Sequence, residues 1–184
     1  MRVCEIQRDA RVRRDARIAR REPAAIDCAP VALLHEPCQC ESPPELVLRG
    51  RGFGHNGAVV WCGACLGPIE LAPLPDLDPG ELEAWAMVTA HVHGIWFHTP
   101  DVLEQWALDQ LRLPDSDLNR KGRELARRIA SGRDVQVWYY QFVERDRVSP
   151  RCPSCQAAAE RAPWNPPQLR CPACELCFIG PQMG

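Results

Sequence analysis

Eight of the eleven cysteines stand in four short pairs, and that spacing constrains the fold more than any other feature of the chain. In chain order the pairs are Cys38-Gln39-Cys40, Cys62-Gly63-Ala64-Cys65, Cys152-Pro153-Ser154-Cys155 and Cys171-Pro172-Ala173-Cys174. Clustered cysteines in a reducing compartment read as metal ligands before they read as disulfides. Zn2+ takes four soft or borderline ligands in a tetrahedron, with Zn–S near ~2.3 Å. A C-x-x-C turn sets two thiolates on one side of such an ion, with its backbone amides directed at the sulfurs. Two turns joined by a hairpin close the tetrahedron.

The second and better-defined set is Cys152, Cys155, Cys171 and Cys174, with 15 residues between its pairs. Residues 150–184 hold too few large apolar side chains to fold unaided. Structural zinc supplies on the order of 10–16 kcal/mol of apparent binding energy, which is folding energy for such a segment. The first set is Cys38, Cys40, Cys62 and Cys65, with 21 residues between its pairs. Its C-x-C half is less usual, and His35 is an alternative ligand there. Cys177 is an alternative in the second set, because Cys174-Glu175-Leu176-Cys177 is a further C-x-x-C. Closed four-thiolate sites leave no open position for water or substrate. The expectation is therefore two structural Zn2+ ions and no enzyme. Cys4 and Cys28 have no assigned role.

Between the first two pairs, 45–49 and 58–61 read as strands joined through Asn56-Gly57, a strong hairpin turn. Gly52, Gly54 and Gly57 form a G-x-G-x-x-G, but a strand follows it, and a dinucleotide site needs a helix there. Three helices are expected next. Asp78-Pro79 opens the first, which carries Leu82, Trp85, Ala86, Val88 and Ala90 and can end at Gly94. Thr99-Pro100-Asp101 opens the second, which carries Leu103, Trp106, Ala107 and Leu111. Ser116 or Asp117 opens the third, with Leu118, Leu125 and Ile129 inward and Gly132 past its end. Residues 135–143 read as a strong strand. The fold class expected is α+β: two small zinc-ribbon β-hairpin modules bracketing a three-helix layer and one strand. The segments are a basic arm at 1–22, a ribbon at 23–75, helices and strand at 76–149, and a ribbon at 150–184.

Charge leaves two functional readings. The arm carries +4 and the remaining 162 residues carry -6, within a net charge of -2. Arg120, Lys121, Arg127 and Arg128 make the third helix basic, and Trp138 and Tyr139 follow it. Guanidinium groups beside aromatic rings can hold phosphates while the rings stack bases, which points to RNA or DNA without strong sequence preference. The alternative is a protein-interaction or adaptor module, immunity-like, in which zinc is purely structural. Dispersed charges with both aromatics buried would favour it. No apolar run approaches the ~18 residues needed to span a bilayer, and no signal-peptide core is present. No membrane partner and a cytoplasmic location are expected.

The motifs also resemble a family. Cys62-Gly-Ala-Cys65-Leu-Gly67-Pro68-Ile-Glu-Leu71 followed by Leu74-Pro75 is similar to its first hallmark. Gly122-Arg-Glu-Leu-Ala-Arg-Arg-Ile129, Val137-Trp-Tyr-Tyr140, Arg151-Cys-Pro-Ser-Cys155 and Cys171-x-x-Cys174 are similar to its second. The family is that of bacterial zinc-ribbon-containing proteins described as candidates for nucleic-acid binding, with no settled function. The likeness spans roughly 58–178. It implies that Cys62, Cys65, Cys152, Cys155, Cys171 and Cys174 are family positions. Gln156 and Glu175, where glycine often follows such turns, and the extra Cys177 depart from the pattern.

Overall fold

The computed structural model describes residues 36–52, 58–99, 102–144, 147–164 and 168–181. The basic arm, His35, Cys4, Cys28 and the Asn56-Gly57 turn lie outside the described residues. Strands β1 (Glu45–Leu48) and β2 (Val60–Cys62) precede helices α1 (Pro79–His98), α2 (Val102–Arg112) and α3 (Asp117–Arg133). Strands β3 (Gln136–Tyr140), β4 (Glu160–Arg161), β5 (Gln168–Cys171) and β6 (Leu176–Ile179) follow. The protein is mixed α+β.

The two hairpins are not separate modules. All six strands form one sheet in the order β2-β1-β3-β6-β5-β4. β1 and β6 each pair with β3 in parallel, while β1–β2, β5–β6 and β4–β5 are antiparallel. An isolated hairpin exposes the unpaired groups of its edges. Here β3 covers the inner edge of each hairpin, so the middle of the chain joins its two cysteine-bearing ends.

Side chains alternate between the faces of the sheet. Leu46, Leu48, Val60, Val137, Tyr139 and Leu176 pack in the larger core with Trp85, Ala86, Leu125 and Ile129 from the helices. Val47, Trp61, Trp138 and Cys177 form a second core with Ala162 and Trp164 on the opposite face. The helices do not make one even layer. The α3 backbone lies directly along β3, whereas α1 and α2 pack chiefly on each other.

Local chemistry explains most helix ends. Asp78 caps α1 by accepting from the Gly80 N–H at 2.9 Å, with Pro79 at the first helical position. Gly94 does not end α1; the helix continues to His98 and is capped at Thr99. A mid-helix glycine costs only ~1 kcal/mol relative to alanine, less than the packing of the turns on either side of it. Ser116 caps α3, accepting from Asn119 N–H at 3.2 Å. That helix runs through Gly132, and Asp134 takes the left-handed cap with φ 51°. In α2, Ala107, Leu108 and Leu111 are buried, but Leu103 and Trp106 point outward at 56% and 47% exposure. Asn119 Nδ2 donates to the carbonyls of Gln110, Leu111 and Leu113 at 2.8–3.0 Å, and Gln141 Nε2 to those of Leu111 and Arg112 at 2.9 and 3.2 Å. These two amides satisfy the open carbonyls at the end of α2.

Candidate metal centres

The first centre is built on the β1–β2 hairpin. Cys62 ends β2, and the chain turns tightly so that Leu66 N–H reaches the Cys62 carbonyl at 2.9 Å. This turn brings Cys65 back beside Cys62. Cys38 then pairs with the same hairpin, its N–H donating to the Pro68 carbonyl at 3.0 Å, which delivers Cys40. The approach depends on Gly67: a Cβ there would lie 2.8 Å from Cys38 N and 2.9 Å from Cys38 Cα. The second centre repeats the turn. Gln156 N–H reaches the Cys152 carbonyl at 3.0 Å, and Cys171-Pro172-Ala173-Cys174 joins β5 to β6.

In each group the four Sγ atoms lie within 4.8 Å of one another. Closest contacts include Cys62–Cys40 at 3.9 Å and Cys155–Cys171 at 3.6 Å. A tetrahedron with metal–sulfur bonds of about 2.3 Å has edges of about 3.8 Å, so the spacing fits four thiolates around one ion. Backbone amides support the sulfurs, with Gly67 N–H to Cys65 Sγ and Ser154 N–H to Cys152 Sγ both at 3.4 Å.

Ionisation follows the crowding. Hydrogen bonding from Cys65, Cys38 and Cys62 pushes the Cys40 thiol up to about 12. Burial, then the contact with Cys155, pushes Cys171 up to about 12. One thiol in each group goes the other way. The Ala157 amide, followed by Cys174 and Cys171, holds Cys155 at about 7. Burial opposes ionisation of Cys65, but the Gly67 amide and the three other thiols outweigh it and lower its pKa. Four contiguous sulfurs cannot all carry negative charge without a cation among them, and each group could hold a metal ion in that place.

The structure therefore brings together Cys38, Cys40, Cys62 and Cys65, and separately Cys152, Cys155, Cys171 and Cys174. Cys177 joins neither group. It is fully buried on the opposite face of the sheet, and that burial raises its pKa. The three residues that follow a C-x-x-C turn, Leu66, Gln156 and Glu175, all have positive φ, at 55°, 62° and 55°. The turn keeps its left-handed position even where a side chain replaces glycine.

The residues expected to contact nucleic acid sit differently. Trp138 is 5% exposed and Tyr139 4%, so neither ring offers a face to a base. Trp138 Nε1 donates to Glu45 at 2.6 Å, and the Tyr139 hydroxyl donates to Asn119 Oδ1 at 2.6 Å. The reason is the two-residue period of β3: adjacent rings enter the two cores on either side of the sheet. The four cations of α3 expected to hold phosphates are paired within the chain. Arg120 meets Asp117, Lys121 meets Glu81 and Glu124, Arg127 meets Glu175, and Arg128 meets Glu81 and the Asp76 carbonyl. Lys121 and then Arg128 hold the Glu81 carboxyl below its usual range.

Glu45 is the organising residue that sequence reasoning missed. Its carboxylate accepts from Trp138 Nε1 at 2.6 Å, Trp164 Nε1 at 2.7 Å and Arg170 at 3.4 Å. It thereby links β1, β3 and the second cysteine segment. In sequence it is the polar first residue of an apolar strand and nothing more.

One sheet with a four-thiol group on each terminal hairpin defines an α+β protein with two groups that could each hold a metal ion. Residues 43–142 match the family described as "Domain of unknown function (DUF2310)", and the chain belongs to that family. The match takes in β1 to β3 and includes Cys62 and Cys65, whereas Cys38, Cys40 and the whole second group lie outside it. The family description carries no statement of zinc or nucleic acid. No curated protein and no solved structure matches the chain. No helix among the described residues is long and apolar enough to cross a membrane.

Proposed function

We propose that both four-cysteine groups hold Zn2+ as closed structural ions, and that the protein is a non-enzymatic module that binds a protein partner. The thiol chemistry supports zinc: all-sulfur, four-coordinate donor sets suit a soft tetrahedral site. Four protein ligands leave no coordination position for a substrate, which supports a structural role. Free thiols in this number belong in a reducing, cytoplasmic compartment.

The observation that carries the choice of partner is the distribution of charged and apolar surface. Arg120, Lys121, Arg127 and Arg128 on α3 are already paired with Glu81, Asp117, Glu124 and Glu175. The outward arcs of α1 and α2 are apolar instead, with Met87, Val88, Val102, Leu103 and Trp106 between 42% and 81% exposed. A 100° helical period places Val102 and Trp106 on one arc, opposite buried Ala107, Leu108 and Leu111. Exposed apolar surface of this kind suits a protein interface, and phosphates need unpaired cations.

The metal reading is tested by elemental analysis of purified protein. Two zinc ions per chain are expected, falling to one in Cys152→Ser with residues 150–178 newly open to protease. Unchanged metal content in that variant would sink it. The partner reading is tested by fluorescence anisotropy with mixed-sequence RNA and DNA at low salt. No saturable binding is expected, and tight binding that weakens steeply with salt would restore the nucleic-acid reading. Quantitative pull-downs comparing the parent protein with Val102→Glu/Trp106→Glu should lose a specific protein species.

A further inference from the structure

The parallel strands β1, β3 and β6 all end on the same side of the sheet. Just beyond those ends lies a cavity of about 240 Å3, bordered by Arg49 after β1, Tyr140 at the end of β3 and Ile179 at the end of β6. His93 and Trp96 from α1 and Phe142 wall its other side. Crevices outside the carboxyl ends of parallel strands are where sheets of this kind take ligands. The two metal centres are at the opposite end. Cys62 pairs with Leu46 near the start of β1, and Cys171 pairs with Leu176 at the start of β6.

The chemistry of the cavity is one-sided. No carboxylate lines it, and among the described residues Arg49 makes no ion pair. The Arg49 guanidinium stacks on the Tyr140 ring, 4.5 Å from its centroid, which orients the cation and leaves its N–H edges for a ligand. His93 Nδ1 is buried with no hydrogen-bond partner among the described residues. The polar groups of Asn119 and Thr89 are committed elsewhere, to backbone carbonyls and the Tyr139 hydroxyl. The rings of His93, Trp96 and Phe142 meet edge to face at 5.1–6.0 Å and form a largely apolar aromatic wall. Burial, and then the Arg49 charge, hold His93 at a pKa of about 4, so near neutral pH Arg49 is the single cation among the described residues that line the cavity.

We propose that this cavity binds a small planar carboxylate, with Arg49 gripping the carboxylate and the His93–Trp96–Phe142 wall taking the flat apolar body. A neutral ligand would leave the guanidinium without an anion. A phosphate dianion would meet only one cation and an apolar wall, an unfavourable exchange for its water. The planar fork of arginine matches a carboxylate with two parallel hydrogen bonds. The volume is that of about eight liquid waters at ~30 Å3 each, too large for a monatomic anion and suited to a ligand of one ring. The proposal stands apart from the identity of the protein partner and of the metal.

The test uses the full metal-loaded chain and ligand-observed NMR with benzoate, its neutral isostere benzamide, and inorganic phosphate. A fragment of this size should bind benzoate with a Kd on the order of 1 mM. Benzamide should bind at least about tenfold more weakly, the loss of one charge-assisted contact. Arg49→Gln should remove that preference by weakening benzoate about tenfold while leaving metal content unchanged. Ile179 is 40% exposed at the rim, so Ile179→Trp should fold normally and block the cavity to both compounds. The idea is overturned if benzoate fails to saturate below about 20 mM, if benzamide binds equally well, or if phosphate displaces benzoate at equal concentration. Undiminished benzoate binding in Ile179→Trp also overturns it, and that variant decides the matter if Arg49→Gln does not fold.

Discussion

Replacing Glu45 by glutamine changes one atom and should destabilise the whole protein. The carboxylate is 14% exposed and accepts from two indole N–H groups, at 2.6 and 2.7 Å, and from Arg170 at 3.4 Å. Hydrogen bonds to a charged acceptor contribute roughly 1.5–3 kcal/mol each. Glutamine keeps one acceptor oxygen, so one indole retains a weaker, neutral bond. The other indole then faces an NH2 group, donor against donor, and a buried unsatisfied donor costs about 1–3 kcal/mol. Arg170 loses less, because Glu160 stands 3.6 Å away on its other side. The net expectation is a loss of about 2–4 kcal/mol. For a chain of this size each kcal/mol moves Tm by about 2–4 °C, so a fall of about 5–15 °C is expected. Thermal unfolding of metal-loaded protein, followed by tryptophan fluorescence and circular dichroism, reads this directly. Glu160→Gln is the control, since its side chain is 59% exposed and should shift stability by no more than about 0.5 kcal/mol. A Glu45→Gln Tm within about 2 °C of the parent would refute the reasoning.

Three further outcomes are expected. Gly122→Ala should destabilise by up to about 2 kcal/mol in denaturant unfolding: the helix-propensity gain is ~1 kcal/mol, but overpacking costs about 1–3. The added Cβ would lie 2.3 Å from the Tyr139 ring and 2.8 Å from the Trp85 ring, both pinned by hydrogen bonds; an increase in stability would show that the rings yield. Gly67→Ala, pressing on the Cys38 backbone, should release metal from the first centre to a chelator well before the second, whereas equal release rates would contradict the assigned contact. His93 has a folded pKa of about 4 against an ordinary 6.5, so its contribution is complete above pH 6.5 and is lost as pH falls towards 4. The loss is at most about 3 kcal/mol, and His93→Gln should show a shallower fall across that window than the parent; parallel pH profiles would disprove the linkage.

Much of the metal chemistry is local and therefore legible in the chain. A C-x-x-C turn needs only four consecutive residues to present two sulfurs, so Cys62, Cys65, Cys152, Cys155, Cys171 and Cys174 announce their geometry from spacing alone. The caps at Asp78 and Ser116 and the buried face of α3 are legible for the same reason. Cys38-Gln39-Cys40 is less local, since it reaches the first centre by pairing with Pro68 across the absence of a side chain at Gly67.

What the tertiary structure decided is everything that depends on which strand lies beside which. Period-two alternation says that Trp138 and Tyr139 face opposite ways, but it does not say that both faces of the sheet are covered. The second core, with Ala162 and Trp164, covers the face that would otherwise have held an exposed ring. Likewise, the basic residues of α3 are visible in sequence, while their neutralisation by Glu81 and Glu175 comes from elements 40 or more residues away. Parallel pairing of β1 and β6 on β3 turns two hairpin ends into one sheet, separates the thiols from the Arg49 cavity, and gives Glu45 its partners. Local spacing sets which atoms can ligate. Long-range pairing sets which remaining groups stay free to meet anything else.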